Sequence, residues 1–315
     1  MLWGPPGIGK TSLVREVAGE IGLQVMTLRL VYLEPSDLVG VPYPHDGETV
    51  WLRPRFLPHD GEGVFILDDL PQALPAVQNA VSELVLDSRL GVHEIPKGWR
   101  RYVATGNDLM HRASTYEMPT HLANRMVHLP VEVDVEDWKG WAVASGVAPE
   151  VIGFLSFRPS LLLQFDPKAR ERAFPSPRSW EMTSKIVQQF KGADESLLRE
   201  LVQGAVGEGA AAEFVGYLKV ARQLPKPEEL LDGKASWPSE PSAVYAAIAS
   251  VVDYFSRHKD VKVAEKIIKV SQSLPSEEWG VWLMRDALRV PDAKGIILSA
   301  PGWKSWAAKY GKYVL

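Results

Sequence analysis

The chain has 315 residues, of which 46% are hydrophobic and 23% are charged, a balance that excludes a disordered protein and allows two sizeable domains. Its 35 Lys and Arg residues against 39 Asp and Glu residues give a net charge of −4, so no positive field indicates nucleic acid or an anionic membrane as the main partner. Cysteine is absent, which excludes disulfides and thiolate metal sites. With no signal peptide and no apolar run of about 18 to 20 residues, we expect a soluble cytoplasmic protein.

The sequence opens with MLWGPPGIGKTS, which satisfies the pattern G-x-x-x-x-G-K-[ST]. In such a loop the glycines let backbone N–H groups surround phosphate oxygens, the lysine reaches the β- and γ-phosphates, and the threonine hydroxyl is offered to Mg²⁺. The residues predicted to hold a nucleotide are Gly4, Pro5, Pro6, Gly7, Ile8, Gly9, Lys10, Thr11 and Ser12. The alternative is a glycine-rich turn that caps an ordinary helix.

A helix is predicted directly after this loop, ending at Gly22, and a strand is predicted over residues 23–30. The apolar residues of the helix share one helical stripe: Leu13, Val14, Val17, Ala18 and Ile21. Residues 31–62 are rich in Pro, Gly and Asp and contain the string PHDGE twice, each time with an Asp-Gly turn signal. We therefore expect this stretch to be an excursion from the core.

The excursion also carries two His-Asp pairs, at His45 and Asp46 and at His59 and Asp60. These pairs suggest a metal site, but no further ligand spacing supports one. Turn formation explains them better, because Asp favours tight turns.

The stretch GVFILDD, residues 63–69, has the apolar run of a buried parallel strand and ends in two acids. A helix over 76–85, the strand RRYVATGN, the short helix THLANRM and the strand VHLPVEV are predicted to follow. Alternation of strands and helices indicates an open, mostly parallel sheet that is covered on both faces.

Three polar side chains end two of these strands. Asp68 is placed to hold the Mg²⁺ that Thr11 also contacts, as a Walker-B acid does, and Asp69 then stands where a general base or water-orienting carboxylate is needed. The alternative is that one of the two acids only solvates a strand end. Asn107 ends the next strand and is a candidate to orient the attacking water.

From about residue 134 strand-like runs nearly vanish, and the segments have helical periodicity separated by Pro-rich breaks. We predict a core domain over 1–133, a helical lid over 134–190, and a helical C-terminal region of unknown role over 191–315.

Several motifs together resemble the MoxR-like branch of AAA+ ATPases, which is related to the dynein-related or AAA-5 group. They are GPPGIGKTS, DLVG at 37–40, VATGN, the Asn-Arg pair of LANRM, and SPR. The resemblance covers residues 1 to about 190. It implies an α/β P-loop fold, a three-layer parallel sheet sandwich followed by an all-α lid. It also implies that Asn107 is sensor 1, that Arg125 is an arginine finger inserted into a neighbouring subunit, and that Arg178 is sensor 2. Taken alone, Arg125 has the alternative of a surface salt bridge, and Arg178 that of a helix-start contact.

The chain departs from this branch in two places. Family members usually carry Glu where Asp69 stands, and the shorter Asp is expected to slow hydrolysis. Relatives also have a few tens of residues before the loop, whereas only Met1, Leu2 and Trp3 precede it here, so we expect a truncated first strand.

The excursion at 31–62 matches an insert of the same branch that is expected to face the pore of the ring. There, Tyr43 and Trp51 either contact a protein substrate or stabilise their own hairpin.

The leading hypothesis is an ATP- and Mg²⁺-dependent ATPase that acts as a homo-oligomeric ring, a hexamer, and remodels or assembles a protein client. The resemblance also implies a partner with a von Willebrand factor A domain. One alternative is a nucleotide-gated scaffold with negligible turnover. Another is a nucleic-acid translocase, which the net charge and the lack of Lys/Arg clusters disfavour.

Overall fold

The computed structural model describes residues 1–107, 116–169, 171–190 and 194–314. The chain divides into two compact units. One is formed by residues 1–132 with 166–170, and the other by residues 133–165 with 171–315. A separate lid over 134–190 stays a prediction.

The first unit is built on a sheet of five strands, and all of their pairings are parallel. The strands are β1 (Leu2–Trp3), β2 (Gln24–Arg29), β5 (Gly63–Asp68), β8 (Tyr102–Gly106) and β9 (Leu129–Pro130), in the spatial order β2-β5-β8-β1-β9. From Val64 to Leu67, β5 is buried throughout, as expected for an apolar run covered on both faces. The predicted parallel α/β sheet is therefore confirmed.

The remaining elements of this unit are four α-helices, three short 3₁₀ helices and two hairpins among its described residues. The helices are α1 (Lys10–Glu20), α2 (Pro35–Val39), α3 (Pro75–Asp87) and α4 (Thr120–Ala123). The hairpins are β3 (Val41–His45) with β4 (Glu48–Leu52), and β6 (Arg89–Leu90) with β7 (His93–Glu94). The second hairpin was not predicted from the sequence.

Strand β1 is only two residues long, yet it lies inside the sheet between β8 and β9. Leu2 is in register with Thr105 and Leu129, and Trp3 with Gly106 and Pro130. This position makes the segment that follows β1 emerge at the carboxyl edge of the sheet, next to the ends of β5 and β8.

The buried face of α1 differs from the predicted stripe. Leu13, Val17 and Ile21 are exposed, whereas Lys10 and Ala18 are buried. The reason is that Lys10 points into the loop that precedes it, and residues four and eight positions later share its side of the helix.

In the excursion, β3 and β4 form a hairpin whose strand residues are all exposed. Asp46 and Gly47 both have positive φ, 49° and 81°, as a two-residue type I′ turn requires. The side chains of Tyr43 and Trp51 are 53% and 39% exposed, so the hairpin presents both aromatic rings to its surroundings.

The second unit is helical throughout its described elements. They are α5 (Val135–Ala144), α6 (Pro149–Phe157), α7 (Pro177–Gln189), α8 (Glu195–Val206), α9 (Glu208–Ala221), α10 (Pro227–Leu231), α11 (Pro241–Arg257), α12 (Val261–Ser271), α13 (Glu277–Leu288), α14 (Lys294–Ser299) and α15 (Trp303–Tyr310). No helix in the described part of the chain is both long enough and apolar enough to cross a bilayer.

A buried ion pair joins α5 to α13 within this unit. Lys139 is 1% exposed, and its Nζ lies 2.8 and 2.7 Å from the two carboxylate oxygens of Asp286. The ring of Trp282 stands 4.5 Å from the same ammonium, and its Nε1 donates to Asp286. Burial lowers the pKa of Lys139, and the Asp286 carboxylate opposes that shift. Removing one partner of such a pair costs about 3–5 kcal/mol, so the contact fixes the two helices.

Candidate functional site

The segment between β1 and α1 is a tight loop whose shape depends on its glycines. Gly7 and Gly9 have φ of 82° and 96°, in the left-handed region that other residues enter at a cost. A Cβ on Gly4 would lie 2.6 Å from the Ile8 side chain and 2.9 Å from the Val131 carbonyl oxygen. Because these glycines have no side chains, the loop can bring its backbone close to a bound group.

The side chain of Lys10 folds back into this loop and is 8% exposed. Its Nζ donates to the carbonyl oxygens of Gly4 and Pro5, both at 2.9 Å, and to Asn107 Oδ1 at 3.0 Å. One ammonium thus connects the loop to the residue that follows β8. Lys10 and Asn107 were predicted from separate motifs, and the structure brings them together.

The carboxylate of Asp68, at the end of β5, receives two hydroxyl groups. Thr11 Oγ1 and Thr105 Oγ1 each donate to Asp68 Oδ1 at 2.6 Å. Thr11 belongs to the first turn of α1, so this bond joins the loop motif to the acidic strand end. Thr11 and Asp68 were predicted to share a magnesium ion, and the structure places their side chains in contact.

Asp69 follows directly and turns the chain away from the sheet. Its φ of 56° is left-handed, and its backbone N–H donates to Thr105 Oγ1 at 3.2 Å. The backbone position of this second acid is thereby fixed relative to Asp68.

Thr105 accepts from the backbone of Asp69 and donates to the side chain of Asp68, and it was not predicted from the sequence. Thr105 is 1% exposed. The register that pairs Leu67 with Ala104 brings it level with Asp68. The motif VATGN contained the signal, but only the strand register shows that this threonine faces the acid.

The two predicted arginines, Arg125 and Arg178, take part in none of the contacts described above. Arg125 follows α4, is exposed, and donates through Nη1 to the His121 carbonyl oxygen at 2.5 Å. Arg178 is an exposed residue in the first turn of α7, in the second unit, and follows the N-cap Ser176. The roles of both residues at a nucleotide site stay predictions.

The oxygen atoms beside Asp68 fit a magnesium ion. Mg²⁺ prefers oxygen ligands and is commonly held by one or two carboxylates together with substrate phosphates rather than by a full protein cage. Thr11 and Asp68 supply a hydroxyl and a carboxylate oxygen 2.6 Å apart at the mouth of the loop. Within the described ranges no group of three or more His, Asp or Glu residues offers such a cage. The donor set therefore suits a metal that arrives with a phosphate ligand.

A phosphate-type loop at the carboxyl edge of a parallel sheet, facing an acid on another strand, defines a P-loop nucleotide-binding fold. Residues 1–83 match the profile of the ATPase family associated with various cellular activities (AAA). That match spans 83 of the 315 residues and includes the loop, Asp68 and Asp69.

Other comparisons are more distant. The sequence matches no curated protein. A RuvB mutant from Thermotoga maritima is 15% identical with a TM-score of 0.36, over 79% of this chain and 73% of its own. NtrX from Brucella abortus, in complex with ATP, is 14% identical with a TM-score of 0.41, over 84% of this chain and 60% of its own.

Thr105 gives the first prediction. Replacing it with Val keeps the shape but removes the hydroxyl that bonds Asp68 and the acceptor of the Asp69 N–H. We expect Thr105→Val to lower the free energy of unfolding by about 1.5–3 kcal/mol, the usual cost of losing a hydrogen bond to a charged group. Urea denaturation followed by circular dichroism measures the change. Thr105→Ser keeps the hydroxyl and is the control, expected to cost about 1 kcal/mol or less. Equal stability of the Val variant and the wild type would contradict the assigned contacts.

Proposed function

We propose that this protein binds ATP with Mg²⁺ and hydrolyses it, working as a ring ATPase of the MoxR-like type that remodels or assembles a protein partner. The observation that carries the proposal is the 2.6 Å contact between Thr11 and Asp68, at the mouth of a loop into which Lys10 points. The AAA family match over residues 1–83 supports the same nucleotide chemistry.

Lys10 would bind the β- and γ-phosphates. The three acceptors named above for its ammonium are neutral oxygens, and phosphate oxygens carry charge and form stronger hydrogen bonds. A triphosphate would therefore compete well for this side chain. The N–H groups of the glycine loop and the start of α1 add further donors for the same phosphates.

Thr11 and Asp68 would hold the magnesium ion, which supplies charge neutralisation of the phosphate oxygens when bound. Asp69 and Asn107 would orient the attacking water. Both follow adjacent parallel strands, β5 and β8, and so lie at one edge of the sheet. Thr105 positions Asp68 and the backbone of Asp69 for these roles.

The assembly part of the proposal concerns Arg125 and Arg178. Arg125 would reach the nucleotide of a neighbouring subunit in a hexameric ring, and Arg178 would contact the γ-phosphate from the lid. AAA+ ATPases generally work as rings, and the exposure of both guanidinium groups is compatible with these contacts. The exposed rings of Tyr43 and Trp51 are candidates to touch a protein client, and a partner with a von Willebrand factor A domain fits the same branch.

A nucleotide-gated scaffold with negligible turnover is the second candidate. It is favoured by Asp69, because its side chain is one methylene shorter than Glu and its backbone is fixed by Thr105. A shorter carboxylate on a fixed backbone reaches an attacking water less easily.

Loss of the loop lysine tests nucleotide binding. We expect Lys10→Ala to weaken ATP binding by roughly 1.5–3 kcal/mol, about tenfold to a hundredfold, because a charged hydrogen-bonding partner of the phosphates is removed. Isothermal titration calorimetry measures the affinity. Lys185→Ala, at an exposed lysine paired with Glu181, is the control and should bind ATP like the wild type. Unchanged affinity in Lys10→Ala would count against the loop assignment.

Substitution of the second acid separates the ATPase from the scaffold. If Asp69 orients the water, Asp69→Asn should retain ATP binding and reduce phosphate release by about 10²-fold or more. Phosphate release is measured at saturating ATP and Mg²⁺. Asp69→Glu, which restores the missing methylene, is the companion variant and should hydrolyse at least as fast as the wild type. Equal, near-background rates of phosphate release for wild type and Asp69→Asn would contradict the enzyme hypothesis and favour the scaffold.

Mixed rings test the role of Arg125. Arg125→Ala should bind ATP normally but lose turnover by about 10³-fold, the size expected for an arginine finger. Mixing it with Lys10→Ala subunits should restore part of the activity. In a mixed ring, the intact Arg125 of a Lys10→Ala subunit can reach the intact nucleotide loop of a neighbouring Arg125→Ala subunit. Arg222→Ala, at another exposed arginine, is the control. If mixed rings form and no activity returns, the finger does not act between subunits.

A further inference from the structure

A groove of about 440 Å³ runs beside β2, at the opposite edge of the sheet from β9. We call it the β2 groove. It is lined by Met26–Arg29 of the strand together with Arg15, Tyr32, Leu33 and Phe56. Successive strand residues point to opposite faces of a sheet, yet all four from Met26 to Arg29 line this groove. It therefore follows the edge of the sheet rather than one face.

The edge itself is open for pairing. Among the described residues β2 is paired only with β5, and it ends the strand order of the sheet. In a parallel strand, alternate residues direct their N–H and C=O groups away from the paired neighbour. An edge strand thus presents a row of backbone donors and acceptors that an extended chain can join.

The groove is positively charged. The described residues that line it include two arginines and no carboxylate. Arg15 donates to Thr27 Oγ1 at 2.9 Å, and neither Arg15 nor Arg29 has an ion-pair partner within the described ranges. Glu34, which follows Leu33, does not line the groove; it is the N-cap of α2, and its backbone N–H donates to Asp37 Oδ2 at 2.8 Å. The charge of the two guanidinium groups is available to an anionic partner.

Apart from Thr27, the remaining lining is aliphatic or aromatic and has one strongly exposed aromatic ring. Tyr32 is 76% exposed, and Met26, Leu33 and Phe56 are half-buried. This surface suits the alternate side chains of an extended peptide. A single-stranded nucleic acid would be expected to use several stacking rings and a continuous row of cations, which this edge lacks among its described residues.

We propose that the β2 groove binds an extended acidic segment of a partner protein by strand addition. The segment pairs its backbone with β2 and places carboxylates beside Arg15 and Arg29. Arg29 is in register with Asp68 on the neighbouring strand, but none of the residues that line the groove is a proposed nucleotide residue, so the proposal does not depend on ATP hydrolysis.

The test uses the full chain and fluorescein-labelled ten-residue peptides, measured by fluorescence anisotropy at low salt. The acidic peptide repeats Glu-Val five times, and its basic counterpart repeats Lys-Val. A third peptide has the acidic sequence with its backbone amides N-methylated, which removes the N–H donors of both edges but keeps its charge. We expect the acidic peptide to bind, the basic one not to bind, and N-methylation to weaken binding by about tenfold or more. Hydrogen exchange of residues 24–29 should slow when the acidic peptide is bound.

Charge reversal locates the binding surface. Arg29→Glu and Arg15→Glu should each weaken binding of the acidic peptide by about five- to tenfold, since each turns an attraction into a repulsion. Arg222→Glu is the matched control and should bind like the wild type, and circular dichroism checks that all variants are folded. Three results would overturn the proposal: no binding of the acidic peptide, equal binding of the N-methylated peptide, or tighter binding of an oligothymidylate that Arg29→Glu abolishes. The last would make the groove a nucleic-acid site.

Discussion

One carboxylate, that of Asp68, connects the parts of the proposed nucleotide site. It accepts hydroxyl groups from Thr11 on the first turn of α1 and from Thr105 on β8. Because β1, β5 and β8 are parallel, the glycine loop and the acidic strand end meet at the same edge of the sheet. Lys10 crosses that edge from the loop to Asn107. The site is therefore a consequence of strand order, and a sheet with β5 elsewhere would leave the same motifs apart.

Sequence reasoning predicted the parts of this site that have local patterns. The loop motif and the apolar run ending in Asp68 indicate their elements directly, and the parallel sheet follows from alternating strands and helices. Thr105 was missed because its partner is set by the register of β8 against β5, which no local pattern contains. Of the predicted apolar stripe of α1 only Ala18 is buried, together with Lys10, whose ammonium bonds to the preceding loop. The roles of Arg125 and Arg178 depend on assembly and on the lid, so they stay predictions.

In the first unit, the residues proposed to bind nucleotide are different from those that form the two proposed contact surfaces. The residues proposed to handle nucleotide lie at the carboxyl edge of the sheet, with Lys10 and Thr105 buried. The hairpin of β3 and β4 and the β2 groove instead present aromatic, apolar and cationic groups outward. Exposed apolar groups of this kind mark contact sites more often than ordinary surface. The helical second unit has its own hydrophobic cores and the buried pair of Lys139 and Asp286.

The most direct test of the account is a crystal structure of the protein with Mn²⁺ and a non-hydrolysable ATP analogue, with manganese located by its anomalous scattering. The account predicts a manganese peak at about 2.0–2.3 Å from Thr11 Oγ1 and beside Asp68, with the β- and γ-phosphates around the Lys10 ammonium. Manganese or triphosphate bound away from the loop, with Thr11 and Asp68 still joined to each other, would contradict it.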